Sequence, residues 1–233
     1  MPEPRAHQTS QLGVGAHNLR GHGGNPAYRA EHAPILDLER LEHSGDREIE
    51  MHTLEQAAAN CQKCPLAHSG RSQVVWGTGP ATARVVFVGE APGRKEDEGG
   101  EPFIGAAGKI LDELLARANI SRGDIYITNI VKCRPPGNRD PLDEEILACR
   151  GYLNAQLRLI RPRALVTLGA FATRLILQTT AGISSLQGRV FEVRNLKVLP
   201  LYHPAATIYD LLKKEPFFAA AKTLDALVNG DSQ

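Results

Sequence analysis

At 233 residues, 42% of them hydrophobic, the chain carries enough apolar material for one well-buried domain. No apolar run approaches the roughly 20 residues a membrane helix needs, and no charged segment followed by an apolar core opens the chain, so neither a membrane contact nor a secretory signal is expected. A net charge of only +1 argues against a nucleic-acid binder that works by bulk charge.

Residues 1–50 read as a separate material. They hold five of the eight histidines, clustered glycines at Gly21, Gly23 and Gly24, and an acidic excess, 8 acidic side chains against 5 basic. Such a composition buries too little surface to offset chain entropy, and a disordered His/Gly-rich tail is expected, with the folded domain over 51–233. The remainder carries 22 basic and 18 acidic side chains, and its basic excess gathers between Arg117 and Arg163. A locally basic face suits an enzyme that grips phosphates and then moves on.

From residue 54 the pattern becomes regular. Residues 54–60 read as a short helix running into Cys61-x2-Cys64. Residues 84–89 (RVVFVG) form a β-branched run bounded by turn formers, as a buried parallel strand does. Residues 107–118 carry a helical stripe of Ile110, Leu111, Leu114 and Leu115. A second strand follows over 125–131, then a long helix over 143–160 with acids in its first turn. The third strand spans 164–168 and the helix after it 170–177. Residues 190–193 and 198–201 flank Asn195 as a hairpin that leads into His203-Pro204, and a closing helix covers 217–228. Alternating strands and helices predict a three-layer α/β/α fold around a mostly parallel, four-stranded sheet.

In such sheets ligands bind beyond the carboxyl ends of the strands. Glu90, Asn129 and His203 all fall at such ends, which points to one crevice. Glu90 sits in a tight turn, GEAPG at 89–93, that lacks both the Walker residues and the dinucleotide spacing. Asn129 is a lone amide in an apolar strand, and a buried amide needs partners. Its donor and acceptor match the O4 and N3–H edge of a uracil. Phe103, among turn formers, is either a core anchor or a stacking plate.

The four cysteines are Cys61, Cys64, Cys133 and Cys149. A close pair plus a distant pair in a reducing, cytoplasmic setting is the spacing of thiolates converging on one metal centre. Spacing alone leaves zinc and a [4Fe-4S] cluster both open. Three basic residues and two prolines make 132–139 a stiff charged loop, and Lys132, Arg134 and Arg139 are the candidates for contact with a nucleic-acid phosphate backbone.

Taken in order, GEAPG, Lys95-Glu96-Asp97, EPFIGAAG, TNIVKCRPP with Asn138-Arg139, and HPAA, with these cysteines, closely resemble the family-4 uracil-DNA glycosylases over about 54–228. The resemblance implies removal of uracil from single- or double-stranded DNA by base flipping, free uracil as product, and a monomer. It implies a [4Fe-4S] cluster on the four cysteines. Phe103 would stack on the base, Asn129 would read its edge, Glu90, Ala91 and Pro92 would line the pocket, and His203 would stabilise the departing anion. The best-known branch of the wider superfamily has Asp where Ala91 stands and Tyr where Gly93 stands. Ala91 does no proton chemistry, so leaving-group stabilisation must carry the mechanism, and Glu96 is the candidate for excluding the thymine methyl. Two other readings are a covalent or non-catalytic uracil binder and a zinc-containing nucleic-acid module. The first lacks its basic, histidine-ended insertion in 134–139.

Overall fold

A computed structural model describes Leu36 and residues 45–230. Helix α1 (Arg47–Ala59) is followed by strand β1 (Val85–Gly89), then α2 (Arg94–Gly99) and α3 (Ala106–Arg117). Next come β2 (Tyr126–Asn129), α4 (Asp143–Ile160), β3 (Ala164–Leu168) and α5 (Ala170–Leu177). The chain closes with α6 (Ile183–Leu186), β4 (Phe191–Val193), β5 (Leu196–Leu201), α7 (Ala206–Tyr209), α8 (Leu211–Ala219) and α9 (Ala221–Asn229).

The sheet has the order β2-β1-β3-β5-β4. Its first four strands run parallel, and β4 is an antiparallel edge paired with β5. The expected count of four strands is therefore corrected to five. The fifth arises because Arg194 and Asn195 adopt positive φ and turn the chain back on itself.

Alternation along the buried strands builds the layers. Val86 and Val88 face a cluster with Met51 of α1, Leu153 and Leu157 of α4 and Ile176 of α5. Val85 and Phe87 face the opposite cluster with Leu111 and Leu115 of α3, Phe217 of α8 and Leu224 of α9. Both faces of β1 to β3 are covered, so their sequences read as continuous apolar runs. The free edge of β2 is covered by the segment before β1: Thr78 bridges Ile127, and Val75 N–H donates to Lys132 O at 2.7 Å.

Three boundaries differ from expectation. The first helix begins at Arg47, because the Asp46 carboxylate caps it by accepting from Glu48 N–H at 2.8 Å. With Leu36 also buried, folded structure reaches back before residue 51. Most of the expected tail lies outside the described residues. The closing helix is two helices meeting at Ala220.

Candidate active site

The chain leaves β1, goes out to β2, and returns to β3 on the other side of β1. This reversal opens a crevice at the strand ends. Gly89 and Asn129 are register partners at the ends of β1 and β2. Nothing larger than glycine fits at 89: a Cβ there would run into Asn129 Oδ1 and stand 2.8 Å from Phe103 Cζ. The Asn129 amide and the Phe103 ring thus meet above the Gly89 Cα. On the far side the Phe103 and His203 rings lie 5.8 Å apart, tilted by 32°. His203 leaves β5 against Gly169, the residue after β3, where φ is +97°.

Electrostatics define the roles open to each group. Asn129 is 2% exposed, and its Oδ1 is a buried acceptor without a hydrogen-bond partner among the described residues. Such an atom is costly unless a ligand satisfies it. The His203 Nδ1 accepts from Ala205 N–H at 3.2 Å, which leaves the ring proton on Nε2. Burial lowers the His203 pKa below its ordinary value, against a smaller upward pull from Glu96, so the ring is a neutral donor at pH 7. Burial, and then the neighbouring Asp140 carboxylate, pushes Glu90 up to about 7.

Glu96 reaches back from α2. Its Oε1 accepts from Gly105 N–H at 2.9 Å, and its Oε2 would lie 2.7 Å from any Cβ at position 93. The space over Gly93 is therefore taken by the Glu96 carboxylate. Ala91 packs its methyl on the core, and Pro92 is buried, so these two shape the turn without polar chemistry.

The basic loop departs from expectation. Lys132 is 1% exposed and donates to Asn129 O at 2.8 Å and Gln156 Oε1 at 2.6 Å. Burial pulls its pKa down to about 7, with Cys149 and Cys133 opposing. It is an internal strut of β2 and presents no charge to DNA. Arg139 is committed to Glu145, whose side chain is fully buried, at 2.6 and 2.9 Å. Arg134 donates through Nε to Asn138 Oδ1 at the half-exposed start of the loop.

The four cysteines come together although 88 residues separate the first from the last. Cys133 and Cys149 are buried, Cys61 and Cys64 half-buried, and Cys133 feels the charge of both Cys64 and Cys61. Burial raises Cys149 to about 12 and Cys133 in the same direction. Arg71 donates to Cys133 Sγ at 2.8 Å and Lys132 N–H to Cys149 Sγ at 3.3 Å, the contacts that sulfur bearing negative charge accepts. Among the described residues no three His, Cys, Asp or Glu side chains gather tightly enough for one metal ion.

Two features went unread in the sequence. Tyr209, Leu211 and Leu212 are 88%, 76% and 88% exposed just beyond His203, followed by Lys213 and Lys214. They went unread because nothing local marks their apolar run as exposed. Arg122, beside Phe103, gave no signal, since its partners lie 10 to 20 residues away.

The family model described as Uracil DNA glycosylase superfamily matches residues 76–224. The chain belongs to that superfamily. It is 47% identical over 177 residues to the Type-4 uracil-DNA glycosylase of Archaeoglobus fulgidus, covering 72% of this chain and 88% of that one. It is 43% identical over 161 residues to the Type-4 enzyme of Thermotoga maritima, 68% and 83% of the two chains. For the Type-4 enzyme of Pyrobaculum aerophilum the identity is 39% over 168 residues, 69% and 85%. The family resemblance and the three-layer fold read from the sequence are both borne out.

Proposed function

We propose that this chain removes uracil from DNA by hydrolysing its N-glycosidic bond, as the names of its relatives state for them. The observation that carries the reading to this crevice is the unpartnered Asn129 Oδ1 beneath Phe103 and opposite His203. A uracil N3–H satisfies that oxygen, while the Asn129 amide N–H donates to O4. The base lies against the Phe103 ring, which excludes water. The Nε2–H of His203 donates to the pyrimidine oxygen that gains charge as the bond to the sugar lengthens. A neutral imidazole, held by Ala205 N–H, is a suitable donor because it needs no proton transfer.

Glu96 fills the space beside Gly93, which supports its part in rejecting the thymine methyl. Glu90, near neutral pKa, is the carboxyl poised to draw a proton from water. Exposed Tyr209, Leu211 and Leu212 with Lys213 and Lys214 suit contact with an opened DNA stack. Arg134 supplies a phosphate contact.

The cysteines fit an iron–sulfur centre. The donor set is all sulfur, Cys133 lies close enough to Cys64 and Cys61 to feel their charge, and N–H donors face two of the sulfurs. An all-cysteine set with N–H donors to its sulfurs suits a [4Fe-4S] cluster, as the family-4 resemblance implies. Cys61, Cys64, Cys133 and Cys149 would hold it, and it would supply a cross-link rather than reactivity. Cysteines kept reduced suit a cytoplasmic setting, and among the described residues no helix is long and apolar enough to cross a membrane.

The test is release of free uracil from a labelled uracil-containing oligonucleotide, with the thymine-containing strand as control. Uracil release with thymine untouched is expected. Tight binding of the uracil strand without release would favour the non-catalytic alternative.

A further inference from the structure

Phe103 holds a backbone conformation that needs a cause. Its φ is +55°, in the left-handed region that a bulky residue adopts only when surrounding structure compels it. That twist is what turns the ring over Gly89 and toward His203. Two contacts compel it. Helix α3 runs so close that a Cβ at Gly108 would collide with the Phe103 carbonyl. On the same carbonyl, Arg122 Nη2 donates at 3.1 Å, and at 2.7 Å to Pro102 O.

Arg122 is itself held in place. Its Nη1 donates to Asp112 Oδ1 on α3 at 2.8 Å. Its backbone lies in a single tight turn capped by Ser121, whose Oγ accepts from Gly123 N–H while Asp124 accepts from Ser121 N–H. That turn leads directly into β2, the strand ending at Asn129. One guanidinium therefore ties the loop of the stacking ring to the strand of the edge-reading amide. Its planar fork spans two carbonyls and a carboxylate, which a lysine ammonium cannot reproduce in one geometry.

We propose that Arg122, braced by Asp112, is a positioning residue that sets the Phe103 ring over the base. The inference rests on the reading of Phe103 as a stacking plate. Arg122 touches no reacting atom, so its effect passes through Phe103 and disappears when that ring is absent.

The experiment is a cycle of Arg122→Gln and Phe103→Ala, singly and together, in the full-length metal-loaded protein. Single-turnover uracil release and the inhibition constant of free uracil are measured for each. Loss of two hydrogen bonds to carbonyls should slow release about tenfold and weaken uracil inhibition by a similar factor. In the Phe103→Ala background Arg122→Gln should change neither quantity by more than about twofold. Arg122→Lys should recover only part of the loss.

Asp112→Asn, at a half-exposed position, gives a second arm that keeps the guanidinium and is expected to show a smaller loss with the same dependence on Phe103. That arm decides the matter if Arg122→Gln fails to fold. Full activity of Arg122→Gln, or losses that multiply independently of Phe103, overturns the inference. Full activity of Phe103→Ala overturns the stacking reading instead.

Discussion

His203 and Asn129 show how little chemistry this crevice contains and how much rests on each group. Ala91 offers no carboxylate, and in the proposed reading charge spreading onto the leaving base supplies most of the rate. Removing a preorganised donor of this kind costs on the order of 10²–10³ in rate. His203→Ala is expected to slow single-turnover release by that factor while DNA affinity stays within a few fold, as read by burst kinetics and titration. Near-parental cleavage would defeat the mechanism. The pH profile tests Glu90. Its carboxyl, raised to about 7 by burial and then by Asp140, becomes a base only as pH climbs through that value. Release should therefore rise through neutral pH and flatten in Glu90→Gln. Asp140→Asn removes the repelling charge and should shift the rise to lower pH; a rise surviving in Glu90→Gln assigns it elsewhere. The stability sign runs the other way: the proton held up to about 7 favours the folded state below the unfolded value near 4.5, and that contribution fades as pH rises to 7.

At the scale of the element, the loop between β2 and α4 separates two jobs that its sequence ran together. Lys132 turns inward and ties Asn129 O to Gln156 on α4, so its charge braces the strand end. Arg139 is spent on Glu145, which also accepts from Leu142 N–H and caps α4. Burial would raise the Glu145 pKa, but these hydrogen bonds outweigh it and bring it down. Arg139→Ala strands a buried carboxylate and should cost on the order of 2 kcal/mol of stability in denaturant melts. Arg134→Ala should leave the melt unchanged, weaken binding on all DNA sequences alike and reduce the salt slope by about one. A change of base preference in Arg134→Ala, or an unchanged melt in Arg139→Ala, would reverse these assignments.

Across the whole molecule, the four cysteines link the segment after α1 to the connection between β2 and α4 and to α4 itself. Arg71 reinforces the same junction through Cys133 Sγ and Cys61 O at 2.6 Å. Next to it, the buried Asp97 carboxylate accepts from Ser72 N–H at 2.9 Å and anchors the short α2 that carries Glu96. If the cysteines hold the proposed cluster, its removal should loosen this side while the opposite layer of α3, α8 and α9 stays packed. Cys133→Ala is expected to purify colourless, with iron lost and Tm lowered by on the order of 10 °C. Full iron content in that variant would refute a shared centre. Oxidising or reducing an intact centre should leave the release rate unchanged, as a cross-link requires.

The parallel strands, their order along the chain, the long α4 and the strand-end positions of Glu90, Asn129 and His203 were determined by the sequence itself. Each follows from local causes: runs of Val, Ile and Leu bounded by turn formers, and helical stripes between them. The cysteine spacing likewise pointed to one group, since two thiols separated by two residues converge on a common point. Tertiary structure alone decided what distant contacts decide. Lys132 and Arg134 are two residues apart, yet one is an internal strut and the other a surface charge, because Gln156 lies 24 residues further on. Phe103 is buried in the core cluster that holds Leu111 and Leu115, and its ring is set beside Gly89 because Gly108 and Arg122 constrain its backbone from elsewhere in the chain. The exposure of Tyr209, Leu211 and Leu212 depends on what packs nearby, which periodicity does not record. Local sequence sets the conformation of an element, while the environment of a side chain is set by chain far from it.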